Sequence, residues 1–302
     1  MDYIQFVTFV KSEIPSLEIR MEEPMSRHTS FRIGGPAKVM AFPKNTEELS
    51  ALLKLSCTMD IKPRILGAGT NVLAPDEGIE GLVICLKDCL DGMKLLENDR
   101  VQVMGGVTMT RAAVFASNQG LSGMEFAHGI PGTVGGGIYM NAGAYGGELA
   151  DICESVEVMT PDGVLKTYSA ADMGFSYRHS RLEGTGELVV SAVFRLTPKE
   201  TEAIRSQMKE LMGRRSASQP LDLPSAGSAF KRPVGGYAAA LIDQAGLKGF
   251  QIGGAAVSSK HAGFVVNMGG ATAADVRALL DYVADAVYSQ FSIQLEPEIR
   301  IW

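Results

Sequence analysis

The sequence predicts α/β alternation in a chain with more than one domain, on three observations. The chain has 302 residues, of which 46% are hydrophobic and 21% charged, which is enough material for several cores. Helix-like and strand-like patterns alternate from Thr46 to Asn118. At TPKET, residues 197–201, a charged amphipathic pattern follows an apolar strand. We therefore predict an N-terminal helical segment (1–20), a first domain (21–198) and a C-terminal domain (199–302).

The elements of the first domain follow from hydrophobic spacing and turn residues. Ile4, Val7 and Val10 have helical spacing, and Pro15 ends that helix. Thr46 is the predicted cap of a second helix. The further predictions are strands at PRIL (63–66), GIEGLVICL (78–86) and Arg100 to Met104, a helix from Thr108 to Asn118 with Gly120 as its C-cap, a hairpin around Pro161-Asp162-Gly163, and a central strand ELVVSAVFRL (187–196).

The C-terminal domain shows three helices and a final strand. The predictions are a helix with Ile204, Met208 and Leu211 on one face, a helix from Ala238 to Gln244 stopped by Gly246, a long helix from Ala273 to Gln290 introduced by Thr272 and Asp275, and a terminal strand IQLEPEIRIW (293–302). No internal repeat interrupts this order.

Composition excludes several classes of protein. The net charge of -6 argues against nucleic-acid binding, which needs clustered Lys and Arg. The N-terminus carries acids where a signal peptide carries Lys or Arg, and no apolar run has the length of a membrane span, so we expect a cytoplasmic protein. The cysteines (Cys57, Cys85, Cys89, Cys153) lack metal-ligand spacing and are expected to be reduced, mostly buried thiols, with no metal site. The oligomeric state is not determined by the sequence; we expect a monomer.

A first glycine loop follows the strand PRIL. Gly67, Ala68, Gly69, Thr70 and Asn71 suit a phosphate, because glycines let N–H groups face an anion and Thr and Asn add donors. A dinucleotide fingerprint of the Rossmann type fails, since Val72 stands where its third glycine is required. A plain tight turn remains the alternative.

A second glycine loop spans residues 129–147, GIPGTVGGGIYMNAGAYGG. It is too rich in glycine for an ordinary helix and too apolar for a flexible linker, so we expect it to wrap a ligand. Two such loops about half a domain apart are suited to grip the two ends of an extended dinucleotide. Neither loop contains a redox residue, so a cofactor would have to supply that chemistry.

Several long motifs in order resemble one family. They include HTSFRIGG from His28, LGAGTNVLAPDEGIEGLVI, GMEFAHGIPGTVGGGIYMNAGAYGGE, FSYRHSRL, QPLDLPSAGSAFKRP, AALIDQAGLKGFQIGGAAVSSKHAGFVVN and LEPEIRIW. Together they resemble UDP-N-acetylenolpyruvoylglucosamine reductase, a flavoenzyme of bacterial cell-wall synthesis. The resemblance implies a two-subdomain FAD-binding domain of the vanillyl-alcohol-oxidase (PCMH) type and a C-terminal α+β substrate-binding domain. The short link between FSYRHSRL and ELVVSAVF resembles the shorter subtype, which lacks a tyrosine-bearing loop.

The resemblance also implies the cofactors and the reaction. NADPH reduces noncovalent FAD, and hydride then passes to the terminal carbon of the enolpyruvyl ether of a UDP-amino sugar. The implied cofactor contacts are Gly67, Ala68, Gly69, Thr70, Asn71, Gly129, Pro131, Gly132, Thr133, Gly135 and Gly136. Because the family holds FAD noncovalently, His28 and His128 are interpreted as loop or packing residues.

Three residues match the catalytic positions of the family. Ser228 resembles the proton donor to the carbon beside the carboxylate, with Lys231 as a nearby positive charge. Arg178 matches the residue that binds the substrate carboxylate, and Glu298 matches the residue that stabilises the negative charge developing beside that carboxylate. Strand alternation puts Glu296 on the same face as Glu298, so periodicity does not separate them, and only the motif favours Glu298. Taken singly, a serine is more often a turn cap, and an arginine beside a tyrosine more often lies over its ring.

Substrate contacts and competing functions complete the predictions. The cationic candidates for the diphosphate are Arg214, Lys231 and Arg300, with Tyr177 and Gln251 as polar or stacking partners. Arg232 replaces an asparagine of the longer subtype, so the contact of that amide is not carried over. An FAD oxidase that passes electrons to oxygen would not need the SAGSAFK serine, and a sugar-nucleotide sensor would not need a proton donor.

Overall fold

The fold was obtained from a computed structural model, which describes residues 3–302. The chain divides into two compact units, and each is discontinuous in sequence. The first unit contains the chain up to Glu22, Lys38–Ala68 and Gly81–Gly213, and the second contains Glu23–Ala37, Gly69–Glu80 and Arg214–Trp302. The linear domain limits given above stay predictions.

Helices and strands alternate along the described residues, 3–302. The α-helices are α1 (Tyr3–Glu13), α2 (Thr46–Thr58), α3 (Met109–Asn118), α4 (Val134–Tyr139), α5 (Thr201–Ser218), α6 (Ala238–Gln244) and α7 (Ala273–Phe291). The strands are β1 (Glu18–Pro24), β2 (Pro36–Phe42), β3 (Arg64–Leu66), β4 (Val72–Leu73), β5 (Ile79–Cys85), β6 (Met93–Leu96), β7 (Arg100–Met104), β8 (Leu121–Ser122), β9 (Gly143–Ala144), β10 (Gly147–Glu148), β11 (Cys153–Met159), β12 (Leu165–Ser169), β13 (Leu188–Arg195), β14 (Thr197–Pro198), β15 (Ser225–Ser228), β16 (Gln251–Ile252), β17 (Ala255–Val257), β18 (Phe264–Asn267) and β19 (Arg300–Ile301).

A four-stranded sheet in the order β1-β2-β5-β3 forms one part of the first unit. Helices α1 and α2 pack on it, with Phe6 and Leu52 in the shared core. The predicted N-terminal helix is confirmed as α1, which buries Phe6 and Val10, whereas Ile4 is 67% exposed. The side chain of Asn45 accepts the N–H of Glu48 and caps α2, a role that the sequence had assigned to Thr46.

A second, antiparallel sheet in the order β12-β11-β13-β7-β6 forms the other part of the first unit. The predicted central strand 187–196 is confirmed as β13. The predicted hairpin is also confirmed, because Met159 pairs with Leu165 and Gly163 adopts φ +77° in the turn. Phe194 and Val101 lie in its core, where α3 packs with Ala112.

The second unit contains an antiparallel sheet in the order β15-β18-β17-β16, with α6 and α7. Thr272 and Asp275 form the predicted capping box of α7. The carboxylate of Asp76 adds two bonds there, to the N–H groups of Ala273 (2.7 Å) and Ala274 (3.0 Å). The predicted terminal strand is too long, because only Arg300–Ile301 is extended in a ladder, paired in parallel with β4.

The cysteines are all free thiols. Burial raises the pKa of Cys89 and Cys153 to about 12, so both stay protonated near neutral pH. Cys57 is exposed. Among residues 3–302 there is no helix with both the length and the apolar character that a membrane span requires.

Candidate active site

The first glycine loop leaves β3 and carries main-chain donors. The N–H groups of Gly67, Ala68 and Gly69 make no hydrogen bond with any residue from 3 to 302. Gly69 has φ +63°, and a Cβ there would lie 2.0 Å from the carbonyl oxygen of His28, so this position requires glycine. A loop with free N–H groups is the donor set that a phosphate needs.

The second glycine loop contains a helix, contrary to the prediction. The hydroxyl of Thr133 accepts the N–H of Gly136 at 3.3 Å and caps the short helix α4. The N–H of Gly135 donates to the carbonyl of Gly105 at 2.8 Å. A Cβ at Gly135 would lie 3.0 Å from that oxygen. Glycine at this position therefore serves close backbone packing inside the first unit.

The two loops touch in the first unit. A Cβ at Gly67 would lie 2.5 Å from the hydroxyl oxygen of Thr133, which is buried at 2% exposure. The expectation that the loops lie about half a domain apart is therefore wrong. The sequence could not reveal this approach, since the two residues lie 66 positions apart along the chain. Gly67, Ala68 and Thr133 thus lie together, and we call this group the cradle; the unbonded N–H groups of Gly67 and Ala68 are donors of the kind that a diphosphate such as that of FAD needs.

The two histidines near the loops have different surroundings. Nε2 of His28 lies 2.8 Å from the carboxylate of Glu23, so His28 is held by a polar partner. Nδ1 of His128 is a buried atom without a hydrogen-bond partner among residues 3–302. The carbonyl of His128 accepts the hydroxyl of Thr110 at 2.7 Å, which fixes the main chain directly before Gly129.

Arg178 lies in a tight turn of the first unit. Ser176 and His179 exchange two main-chain hydrogen bonds, of 3.2 and 3.1 Å, around Tyr177 and Arg178. Arg178 has φ +56°, a conformation that usually selects glycine or asparagine. Its guanidinium lies 5.0 Å from the ring centre of Tyr177 and donates to the carbonyl of Gly143 at 3.2 Å. The arginine is thus half-buried; its guanidinium lies over the Tyr177 ring, as the alternative interpretation expects, and also bonds the main chain of Gly143.

Ser228 ends β15 in the second unit. The strand is irregular: Ser225 pairs with Val266 and Ser228 with Phe264, with a register shift between them where Gly227 has φ +77°. Ser228 is exposed, and its hydroxyl makes no hydrogen bond with the described residues. The alternative interpretation of this serine as a turn cap is therefore not observed. The bulge delivers a free hydroxyl at the end of a paired strand.

Glu298 lies beside this strand end. The N–H of Glu298 donates to the carbonyl of Ala229 at 2.9 Å, and the N–H of Lys231 donates to the carbonyl of Glu296 at 2.8 Å. These antiparallel bonds place Glu298 against the residue that follows Ser228. The side chain of Glu296 instead forms an ion pair with Lys231 and is 69% exposed. The tertiary structure thus separates two glutamates that strand periodicity could not.

The predicted substrate contacts have varied surroundings. Lys231 is committed to Glu296, Arg214 is exposed near the end of α5, and Gln251 is exposed with its amide donating to Gly253 at 2.7 Å. Arg300 is half-buried in β19. Tyr177 and Arg178 lie in the first unit, and the other candidates in the second.

Sequence reasoning missed Arg215. It is 8% exposed, although an arginine is rarely so buried. The signal was present in the helical spacing, because Arg215 continues the face that begins with Ile204 and Met208. A charged residue on an apolar helix face indicates a specific partner for the guanidinium.

Comparison with known families defines the class of protein. Residues 37–169 match the model of an FAD-binding domain, which includes both Gly67 and Thr133. The fold of this region is therefore that of an FAD-binding domain, and the class of protein is a flavin-dependent oxidoreductase. Residues 219–302, which include Ser228 and Glu298, match the C-terminal domain of UDP-N-acetylenolpyruvoylglucosamine reductase.

Relatives that span nearly the whole chain identify the family. The chain is 45% identical over 308 residues to UDP-N-acetylenolpyruvoylglucosamine reductase of Agathobacter rectalis, covering 97% of this chain and 98% of that one. It is 45% identical over 285 residues to the Lactobacillus helveticus reductase, covering 94% and 95% of the two chains. The crystal structure of the Thermus caldophilus reductase is similar, with a TM-score of 0.78, 35% identity and coverage of 95% and 98%. This chain belongs to the UDP-N-acetylenolpyruvoylglucosamine reductase family.

Proposed function

We propose that this protein reduces UDP-N-acetylenolpyruvoylglucosamine to UDP-N-acetylmuramate, a step of peptidoglycan synthesis, with electrons from NADPH. The observation that carries the proposal is the main-chain hydrogen bond from Glu298 to Ala229, which aligns the half-buried Glu298 with the residue that directly follows Ser228. The family match supports the same reaction. When bound, FAD supplies the hydride to the terminal carbon of the enolpyruvyl group.

The cradle around Gly67 and Thr133 binds the cofactor in this proposal. The free N–H groups of Gly67 and Ala68 are donors for a diphosphate oxygen. The helix α4 is too short to contribute much through its dipole, so these individual donors carry the binding. The remaining glycine-loop residues (Gly69, Thr70, Asn71, Gly129, Pro131, Gly132, Gly135 and Gly136) shape the loops around the cofactor.

Ser228 donates the proton that completes the reduction. Addition of hydride to the terminal carbon leaves an electron pair on the carbon beside the carboxylate, and the serine Oγ–H protonates that carbon. A serine is a weak acid, so it acts only on a strongly basic carbon and with its hydroxyl unencumbered. The absence of a hydrogen bond to this hydroxyl within residues 3–302 meets the second condition.

Arg178 and Glu298 stabilise the charge that precedes protonation. The guanidinium of Arg178 binds the substrate carboxylate as a two-pronged donor. Glu298 acts either protonated or sharing a proton with the substrate, because a fully ionised carboxyl group would repel the developing negative charge. Arg214, Lys231, Arg300, Tyr177 and Gln251 are the proposed contacts to the UDP part of the substrate. We further propose a cytoplasmic monomer of the shorter subtype.

An anaerobic two-step experiment tests the proposal. Purified, FAD-loaded enzyme is reduced with NADPH and then mixed with UDP-N-acetylenolpyruvoylglucosamine, while flavin absorbance is recorded. We expect bleaching with NADPH and full recovery of absorbance with one equivalent of the sugar, together with formation of UDP-N-acetylmuramate. Recovery by oxygen but not by the sugar would instead indicate an FAD oxidase, and a chain that takes up no FAD would contradict the proposal.

A further inference from the structure

Asn141 is a fully buried polar side chain in the second glycine loop, with 0% exposure. Its Oδ1 accepts the N–H of Ala150 at 3.0 Å, and its Nδ2 donates to the carbonyl of Ser176 at 3.1 Å. A donor on one side and an acceptor on the other allow only one orientation of the amide. Asn141 also has φ +42°, in the left-handed region where asparagine is enriched. Backbone conformation and hydrogen bonding therefore both select asparagine here.

The carbonyl that Asn141 bonds belongs to Ser176, the first residue of the turn that contains Arg178. Ser176 uses the same oxygen to accept the N–H of His179, which closes the turn. Two further bonds join the same segments. The hydroxyl of Ser180, a fully buried residue, donates to the carbonyl of Tyr139 at 2.8 Å, and the guanidinium of Arg178 donates to the carbonyl of Gly143 at 3.2 Å. Residues 139, 141 and 143 thus each form a hydrogen bond with residues in or next to the turn.

We propose that Asn141 is the positioning residue for Arg178 in the reduction of the enolpyruvyl group. This inference rests on the function proposed above. A non-glycine residue at positive φ persists only where its surroundings hold it, and Arg178 is such a residue. A guanidinium that must meet a carboxylate with both prongs tolerates little displacement. By bonding the carbonyl at the start of the turn, Asn141 orients Arg178. Asn141 lies in the second glycine loop, which also contains Thr133 of the cradle.

The test measures the two half-reactions separately in variants of the FAD-loaded enzyme. Asn141→Ala removes both side-chain bonds, and Asn141→Asp keeps the acceptor for Ala150 but loses the donor to Ser176. Thr160→Val is the matched control in the same unit, because Thr160 is also a buried polar residue (4% exposed) whose hydroxyl bonds the main chain at Val164. Each Asn141 variant is also made in an Arg178→Ala background.

We expect both Asn141 variants to slow re-oxidation by the UDP-sugar by about 10- to 100-fold, the scale of a misplaced catalytic group. Reduction by NADPH should stay within about 3-fold of native, because Arg178 has no part in it. In the Arg178→Ala background, the Asn141 changes should have little further effect on re-oxidation. Thr160→Val should lower the melting temperature but leave re-oxidation near native.

Three results would overturn the inference. One is a parallel loss of both half-reactions in the Asn141 variants, as expected of a residue needed only for stability. Another is an equal effect of Asn141→Ala with and without Arg178. The third is an Arg178→Ala variant that is re-oxidised by the UDP-sugar as fast as the native enzyme; this would leave the proposed function intact but remove the role of Asn141. A native enzyme that is inactive on the UDP-sugar would contradict both the proposed function and this inference. If the Asn141 variants do not fold, Ser180→Ala removes another hydrogen bond between the same two segments, and unchanged re-oxidation in that variant contradicts the inference.

Discussion

The side-chain amide of Asn71 donates a hydrogen bond to the main-chain carbonyl of Glu298, with 3.1 Å between nitrogen and oxygen. The N–H of Arg300 donates in return to the carbonyl of Asn71 at 3.0 Å, where β4 and β19 pair in parallel. The sequence predicts Asn71 as a cofactor contact. Its side chain is committed instead to the backbone of the residue proposed to stabilise the reaction's negative charge.

Replacement of Asn71 by aspartate should therefore cost stability rather than cofactor binding. A carboxylate facing the carbonyl of Glu298 leaves that carbonyl without its donor, and we expect a loss of about 1–3 kcal/mol in the free energy of unfolding. FAD should be retained, since Gly67 and Ala68 keep their N–H groups. Urea unfolding and the flavin-to-protein absorbance ratio measure the two effects. Asn98→Asp, at an exposed turn, is the control for the added charge; loss of FAD at unchanged stability would contradict this assignment.

Ser228→Ala should separate the two half-reactions. Loss of the proton donor is expected to slow re-oxidation by the UDP-sugar by about 100- to 10,000-fold, the usual contribution of general acid catalysis. Flavin reduction by NADPH should be unchanged. Ser225→Ala, on the same strand, is the matched control and should leave both rates near native. Stopped-flow absorbance gives both rates, and an equal slowing of the two in Ser228→Ala would make Ser228 a structural residue.

The two terminal glutamates should respond differently to the same isosteric change. Glu298→Gln removes the proposed charge-stabilising carboxyl group beside Ala229, and we expect re-oxidation to slow by about 100-fold or more. Glu296→Gln removes only an exposed ion-pair partner of Lys231, which is expected to change stability by about 1 kcal/mol or less. Single-turnover rates of flavin re-oxidation by the UDP-sugar in both variants show which glutamate takes part in the reaction. A larger rate loss in Glu296→Gln would reverse the assignment.

Gly67→Ala should impair FAD binding for a steric reason. The new Cβ would lie 2.5 Å from the hydroxyl of Thr133, and that buried hydroxyl cannot move without releasing the cap of α4. Gly213→Ala is the matched control, because no atom lies within 4 Å of its Cβ position inside α5. Its stability should rise by up to about 1 kcal/mol. Fluorescence titration of FAD into the apoprotein compares the two, and equal FAD affinity would show that the cradle is not used.

Stability should fall as the pH is lowered below about 6.5, partly because of His261. Burial lowers the pKa of His261 from its ordinary value of 6.5, and its Nδ1 accepts the N–H of Gly263 at 3.1 Å. The unfolded chain therefore binds a proton that the folded chain excludes, so the free energy of unfolding decreases with falling pH between 6.5 and the lower folded pKa. His261→Asn keeps an acceptor that does not titrate. Melting temperatures at pH 7.5 and 5.5 should show a smaller drop for the variant; equal drops would contradict the role of His261.

The local elements of the fold were largely predictable. The long helix α7 and its capping box, the hairpin at Gly163 and the central strand β13 all depend on residues close together in sequence. Errors fell where two local signals compete. Asn45 rather than Thr46 caps α2, and the glycine-rich stretch 134–139 is helical because Thr133 caps it and neighbouring strands hold it.

By itself, the sequence determined the family, the glycine loops and the residue types needed for a reduction: a serine, a carboxyl group and a guanidinium in recognisable motifs. The tertiary structure alone decided how they are arranged. It brought Gly67 against Thr133, separated Glu298 from Glu296 through the bonds at Ala229 and Lys231, and placed Asn71 on Glu298 and Asn141 on the turn of Arg178. The physical reason is that these are contacts between residues distant along the chain. Neither hydrophobic periodicity nor motif spacing predicts such contacts, because they depend on strand pairing and on hydrogen bonds to buried polar groups.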